Sequence, residues 1–239
     1  MLLPTYSREE PNFKRTMKKG EKGKKGEKQS AIKLGLGCLG AILLFLACSQ
    51  SAPPSDTSLL RKPLEDLTVA DMERLGAVVE TNLGIFRIRF FPREAPGTVK
   101  NFIKLTKIGF YTGLQINKVV PRYNIQAGDP KGNGAGGPGW TIPAEINAHG
   151  NVRGAVGMVH PPHYPNEAGS QFYIMVVADR HLDKSYTVFG EVWQGMDTVD
   201  RIAGLPLKAA SGQAGPPQLS VIMTRVGLEL PPPSSGRGP

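Results

Sequence analysis

From Ala77 onward the chain alternates apolar and polar residues with a period of two, the pattern of strands with one buried and one wet face. Ala77-Val78-Val79-Glu80-Thr81 and Ile85-Phe86-Arg87-Ile88-Arg89-Phe90 flank Asn82-Leu83-Gly84, which predicts a hairpin closed by a glycine-containing turn. In the second run Phe86, Ile88 and Phe90 fall on one face while Arg87 and Arg89 fall on the other, as in an antiparallel sheet. The period then lengthens. Pro96-Gly97-Thr98 opens an amphipathic helix that carries Val99, Phe102, Ile103 and Thr106 on one stripe and stops at Gly109. Short strands are predicted over 114–120, 123–127, 155–159, 171–177, 187–192 and 221–227, and only 196–203 reads as a second helix. Many short strands, two helices and no βαβ alternation predict a mainly β fold, a closed antiparallel barrel with its ends plugged.

The residues before Ala77 read differently. Residues 1–33 are polar, rich in Lys and Gly and without apolar periodicity, which predicts a basic disordered segment. The uncharged apolar run Leu34 to Cys48 follows; at 15 residues it is shorter than the roughly 18 that suggest a membrane span. A basic segment, an apolar stretch and then small residues form the layout of an export signal. Its end, Leu44-Phe45-Leu46-Ala47-Cys48-Ser49, resembles a bacterial lipoprotein processing site, with Cys48 as the lipidated residue and Met17 as an alternative start. The other reading is an uncleaved single-pass signal anchor. Either places the body outside the cytoplasm, tethered to the membrane. Residues 49–76 read as a linker with a short helix capped by Thr68, with Asp71 three residues on, and 229–239 as a Pro-rich tail.

Composition narrows the function classes. With 40% hydrophobic and 21% charged residues the chain is neither collagen-like, nor multi-spanning, nor wholly disordered, and 2 cysteines exclude a disulfide-stapled scaffold. The net charge of +9 suggests nucleic acid until it is located. Residues 1–33 carry 10 of the 29 Lys and Arg and 4 of the 20 Asp and Glu, so the body holds 19 basic against 16 acidic groups and is nearly balanced. Nucleic-acid binding by the body is disfavoured, and nothing in the sequence demands more than a monomer.

Three motifs do not carry chemistry. Gly132-Asn133-Gly134-Ala135-Gly136-Gly137 matches G-x-G-x-x-G, but Pro138-Gly139-Trp140-Thr141-Ile142-Pro143 cannot open the helix that a dinucleotide loop needs, so a flexible loop is expected. His160 and His163 are separated by Pro161-Pro162, with no third ligand in local register, which argues against a metal site. Ser170, in Gly169-Ser170-Gln171, does not form a nucleophile elbow.

Five collinear segments instead resemble the cyclophilin family of peptidyl-prolyl cis-trans isomerases. They are Glu80-Thr81-Asn82-Leu83-Gly84, Ala95-Pro96-Gly97-Thr98-Val99-Lys100-Asn101-Phe102, Ile125-Gln126-Ala127-Gly128-Asp129-Pro130, Gly169-Ser170-Gln171-Phe172-Tyr173-Ile174 and Tyr186-Thr187-Val188-Phe189-Gly190. The resemblance covers about residues 77–228, and it implies a closed eight-stranded antiparallel barrel capped by two helices. It also implies rotation about X–Pro bonds of polypeptides with no cofactor and no metal.

Carried over residue by residue, the resemblance implies Lys118 as the catalytic cation where the family has Arg, within Ile116-Asn117-Lys118. Gln126, Met158, Gln171 and Leu182 match the family's substrate-binding positions. Tyr123 and Tyr173 stand where the family has Phe, Asn124 where it has Met, His160 where it has Asn beside Val159, His181 where Trp is common, and Tyr186 where a His is usual. Lys keeps the charge but lacks the planar fork of Arg, and two added hydroxyls need partners if buried. Two functions are therefore expected to compete. One is a membrane-tethered isomerase of reduced rate that assists the folding of extracytoplasmic proteins. The other is a proline-peptide-binding module without useful catalysis.

Overall fold

Two antiparallel strands, β1 (Gly76–Thr81) and β2 (Gly84–Phe90), form the predicted hairpin, with Thr81 Oγ1 donating to the Gly84 carbonyl at 2.8 Å. The computed structural model describes residues 57–208 and 213–232, all within the unit Ser51–Pro239. The predicted basic segment, the apolar run with Cys48, and most of the Pro-rich tail lie outside the described residues. The remaining strands are β3 (Ile116–Val120), β4 (Asn124–Ala127), β5 (Ala155–Met158), β6 (Phe172–Met175), β7 (Val188–Gln194) and β8 (Met223–Glu229). They join one 8-stranded sheet in the order β3-β4-β6-β5-β7-β2-β1-β8, with every paired neighbour antiparallel.

The sheet curls into a half-barrel, where the sequence predicts a closed barrel. Its end strands β3 and β8 share no ladder. Their neighbourhoods meet through the isolated bridges Gln115↔Ile222 and Val119↔Gly215, supported by Ile116 N–H to Val221 O and Met223 N–H to Leu114 O, both 2.9 Å. Between the two bridges stand Pro216 and Pro217, which have no N–H to continue a ladder.

Helix α1 (Ser58–Arg61) and helix α2 (Val69–Glu73) lie in the segment predicted as linker plus short helix. Thr68 and Asp71 form the expected capping box, the Asp71 N–H donating to Thr68 Oγ1 at 3.1 Å and the Thr68 N–H to Asp71 Oδ2 at 2.9 Å. This segment is more than a spacer, because Leu59, Leu67, Met72 and Leu75 are buried in the same core as the sheet. Lys107 ties it down by donating to the carbonyls of Leu60 and Lys62 at 3.2 and 2.6 Å.

Helix α3 (Pro96–Lys107) and helix α4 (Met196–Ala203) are the two predicted helices. Phe102 on α3 is the centre of the core. Its ring meets Tyr111 at 4.8 Å, Phe189 at 5.4 Å, Phe172 at 5.5 Å and Phe90 at 5.7 Å between centroids. These rings come from β2, β6, β7 and the segment after α3, so one helix face holds distant strands in a common curvature. On the outer face Arg87 and Arg89 meet Glu229 and Glu191, as the alternation of β2 requires.

The N-terminus of α3 has no local side-chain cap, since Ala95 precedes it. Glu145 supplies one from a distant loop, accepting from Gly97 N at 2.9 Å, Thr98 N at 2.7 Å and Thr98 Oγ1 at 2.7 Å. A carboxylate there satisfies free N–H groups and faces the positive end of the helix dipole. Glu145→Ala is expected to cost about 1–2 kcal/mol, a melting temperature lower by roughly 2–8 °C. Thermal denaturation followed by circular dichroism measures it, and an unchanged midpoint would remove Glu145 from this role.

Candidate active site

The period of two along the strands divides the site from the core. On β6, Phe172 and Ile174 belong to the main core, while Tyr173 and Met175 belong to a second cluster with Ala155 and Val188. On β4, Ile125 and Ala127 enter the core, and Asn124 and Gln126 take the opposite face. That second face floors an open groove of about 1360 Å³. Gly157 on β5 is required there, since a Cβ at this position would collide with the ring of Tyr173.

Ten of the residues singled out in the sequence line this groove. Lys118 on β3 stands opposite Gln126 on β4 in the strand register, which places both on the groove face. Asn124 is buried at 5% exposure, and its Oδ1 has no hydrogen-bond partner. Tyr123, Tyr173, Tyr186, Val159 and Leu182 form the apolar and aromatic floor. His160 stacks on Tyr186 at 4.5 Å between centroids, and its ring nitrogens lie 2.9 Å from Pro161 O and 3.1 Å from Ser185 O. Gln171 completes the set on the far wall. Among the described residues Lys118 makes no ion pair, and no group of three or more His, Cys, Asp or Glu could hold a metal.

Two expectations need correction. Met158 is 1% exposed in the main core and does not line the groove. Its neighbour Val159 faces the groove, so the strand period turns Met158 away. His181 also lies outside the lining; its side chain is 98% exposed on the short helical turn Arg180–Leu182, bonded to Asp179.

The added hydroxyls find partners that the sequence did not reveal. The Tyr123 hydroxyl donates to Asp179 Oδ2 and the Tyr173 hydroxyl to Asn151 Oδ1, each at 2.5 Å. Burial, then the hydrogen bond to Asp179 and its charge, push the Tyr123 phenol up to about 12, and burial likewise raises that of Tyr173. The bonds from Tyr123 and from His181 hold the Asp179 carboxyl below the usual aspartate range. The only warning in the sequence was the pair of hydroxyls themselves, since their partners lie 56 and 22 positions away.

The glycine-rich stretch is pinned as a wall of the groove, where a flexible loop was expected. Asp129 accepts from Lys131 N at 2.8 Å and Gly134 N at 2.5 Å, and Gln171 Nε2 donates to Gly134 O at 3.0 Å and Gly136 O at 2.8 Å. Trp140, held by Asn101 at 2.9 Å, closes that side. Ser170 donates to Gly128 O at 2.6 Å and is buried beneath the wall.

Residues 77–228 match the family model of the cyclophilin type peptidyl-prolyl cis-trans isomerases. The chain belongs to the cyclophilin family. This cyclophilin is similar to a peptidyl-prolyl cis-trans isomerase of Synechococcus elongatus, 44% identical over 115 residues that cover 48% of this chain and 78% of the relative. It is 44% identical to peptidyl-prolyl cis-trans isomerase B of Bacillus subtilis over 109 residues, 45% of this chain and 75% of the relative. The crystal structure of a cyclophilin type isomerase from Cryptosporidium parvum superimposes with a TM-score of 0.61 at 28% identity, covering 66% of this chain and 98% of that one. A second structure of that protein, determined in the presence of the dipeptide Ala-Pro, gives a TM-score of 0.60 at 28% identity over 64% of this chain and 98% of that one. This cyclophilin is thus an isomerase of the peptidyl-prolyl class.

The Asp179 carboxyl also makes acid stability legible. A carboxyl held below its unfolded value of 3.8 stabilises the fold above that pH, and the contribution is lost as pH falls below it. Asp179→Asn removes that titration. The gap in melting temperature between the parent and Asp179→Asn is therefore expected to be widest above about pH 5 and to shrink toward about pH 2.5. A constant gap across this range would exclude the linkage.

Proposed function

We propose that this cyclophilin isomerises X–Pro bonds in exported polypeptides, with Lys118 as the donor to the prolyl nitrogen. The observation that carries the reading is Lys118 facing Gln126 across β3 and β4, with no ion pair among the described residues, beside an aromatic floor.

The bond turns slowly because amide resonance imposes a barrier of roughly 18–20 kcal/mol. As the peptide twists, the prolyl nitrogen becomes pyramidal and gains a lone pair. A cation that hydrogen-bonds this lone pair stabilises the twisted state more than the planar one, which is the requirement for catalysis. The aromatic floor of Tyr123, Tyr173 and Tyr186 holds the apolar proline ring. Asn124 and Gln126 offer polar contacts to the flanking backbone. The Ala-Pro dipeptide used with the Cryptosporidium parvum relative is a ligand of the matching chemistry. No covalent step enters.

Lysine is a compact point charge without a second, parallel donor, so the geometry that Arg can impose on Gln126 and substrate together is lost. A loss of about 2–3 kcal/mol of transition-state stabilisation slows turnover by roughly 30- to 150-fold. The reading is therefore a slow enzyme, monomeric and held at the extracytoplasmic face of the membrane. The support for export and anchoring is the apolar run Leu34 to Cys48 behind a basic segment.

In a coupled assay on short X–Pro peptides the full chain is expected to accelerate isomerisation. Lys118→Ala should reduce the rate to background, and Lys118→Arg should raise it by about tenfold or more. A flat parent that gains activity with Lys118→Arg would favour the binding module, and inactivity of all three would remove the catalytic role. Separately, Cys48→Ser is expected to abolish incorporation of labelled fatty acid in a bacterial host and to leave the precursor mass unprocessed. Unaltered labelling would exclude Cys48 as the lipid site.

A further inference from the structure

We propose that Asp179, which does not line the groove, is a positioning residue for the prolyl pocket and sets the orientation of Tyr123 in its floor. The proposal rests on the isomerase reading of the groove.

Asp179 ties three segments together, two through its carboxylate and one through its backbone N–H. Asp179 Oδ2 accepts from the Tyr123 hydroxyl at 2.5 Å, and Oδ1 accepts from His181 N at 2.9 Å. The second of these caps the short turn Arg180–Leu182, whose Leu182 packs into the floor beside Tyr123. The Asp179 N–H in turn donates to Asn151 O at 2.9 Å. Asn151 is 1% exposed, accepts from the Tyr173 hydroxyl and is itself held by Asp183 Oδ1, to which its N and Nδ2 donate at 2.7 and 3.2 Å. A continuous chain of bonds therefore runs Tyr173–Asn151–Asp179–Tyr123 behind the floor, and neither Asn151 nor Asp179 touches the groove.

The physical consequence concerns polarity as much as position. A Tyr hydroxyl that lacks an acceptor within the protein must turn to water, and the Tyr123 side chain lines the groove. Asp179, which is outside the groove lining, holds the hydroxyl, so the Tyr123 ring is left to face a proline. A charged acceptor makes this bond about twice as strong as a neutral one. The Tyr123 phenol, pushed up to about 12 by burial and by Asp179, agrees with that geometry. Asp179 is thus the residue that lets a tyrosine serve where an apolar ring is needed.

The test is a double-mutant cycle on the full chain with Asp179→Ala, Tyr123→Phe and their combination, read as kcat/KM on X–Pro peptides. Asp179→Ala alone is expected to lower kcat/KM by about three- to thirtyfold, mainly through KM. Added to Tyr123→Phe it should cost no more than about a further twofold, the share of the lost cap on the turn Arg180–Leu182, because no hydroxyl remains to be held. A parent-like Asp179→Ala, or the same loss in both backgrounds, would overturn the proposal. Phenol titration by ultraviolet absorbance provides a readout independent of turnover. The Tyr123 titration, isolated as the difference from Tyr123→Phe, should fall when Asp179 becomes Ala, by the part of its rise that the bond and charge of Asp179 supply, while the larger part due to burial remains. If it does not move, Asp179 does not hold Tyr123. If the parent fails to isomerise while the titration moves, the isomerase reading falls and the positioning of the pocket stands.

Discussion

The contact of Phe102 with rings from three strands is the interaction on which the rest of this molecule depends. A curled antiparallel sheet encloses a space that its own side chains do not fill unless a helix is seated against it. Phe102 projects from α3 into that space and meets Phe90, Phe172 and Phe189, which come from β2, β6 and β7. Tyr111 packs on the same ring and donates to Ser170 O at 3.2 Å, so the aromatic cluster is anchored to the segment beneath the groove wall. Edge and tilted ring contacts of this kind add about 0.5–1.5 kcal/mol each beyond area burial. The apolar face of the sheet is therefore committed, and everything chemical is left to the opposite face.

That division explains the economy of the site. Strands β4, β5 and β6 each send alternate residues inward to Phe102 and outward to the groove, so one set of backbone bonds supports both. A rigid strand scaffold places Lys118 and Gln126 opposite each other without help from a mobile loop. The groove wall that does come from a loop is held by Asp129, which accepts from the N–H groups of Lys131 and Gly134, and by Gln171, whose amide donates to the carbonyls of Gly134 and Gly136. Gln171 is thereby a structural clamp as well as a groove residue.

The tyrosines show how a polar substitution is absorbed. Two hydroxyls added to an aromatic floor would each leave a costly unpaired donor if unmatched. Asn151 and Asp179, neither of which lines the groove, accept from them. Lys118, by contrast, makes no ion pair among the described residues, so its charge is left to the groove.

The sequence by itself determined the strands, the two main helices, the Thr68–Asp71 cap and the family, because these depend on local periodicity, turn chemistry and short segments read in order. Most of the groove was also legible, since Gln126, Gln171 and their neighbours sit inside well-matched segments. Three matters were decided only by the tertiary structure. Met158 belongs to the core because strand parity, fixed by pairing with β6 and β7, assigns its side chain to the inner face. The end strands β3 and β8 meet through isolated bridges and not a ladder, and Pro216 and Pro217, which lack an N–H, stand between those bridges. Asp179, Asn151 and Glu145 acquired their roles from partners 56, 22 and 47 residues distant. No local pattern encodes such pairs, because a hydrogen bond specifies atoms within about 3 Å in space and is indifferent to the length of chain between them.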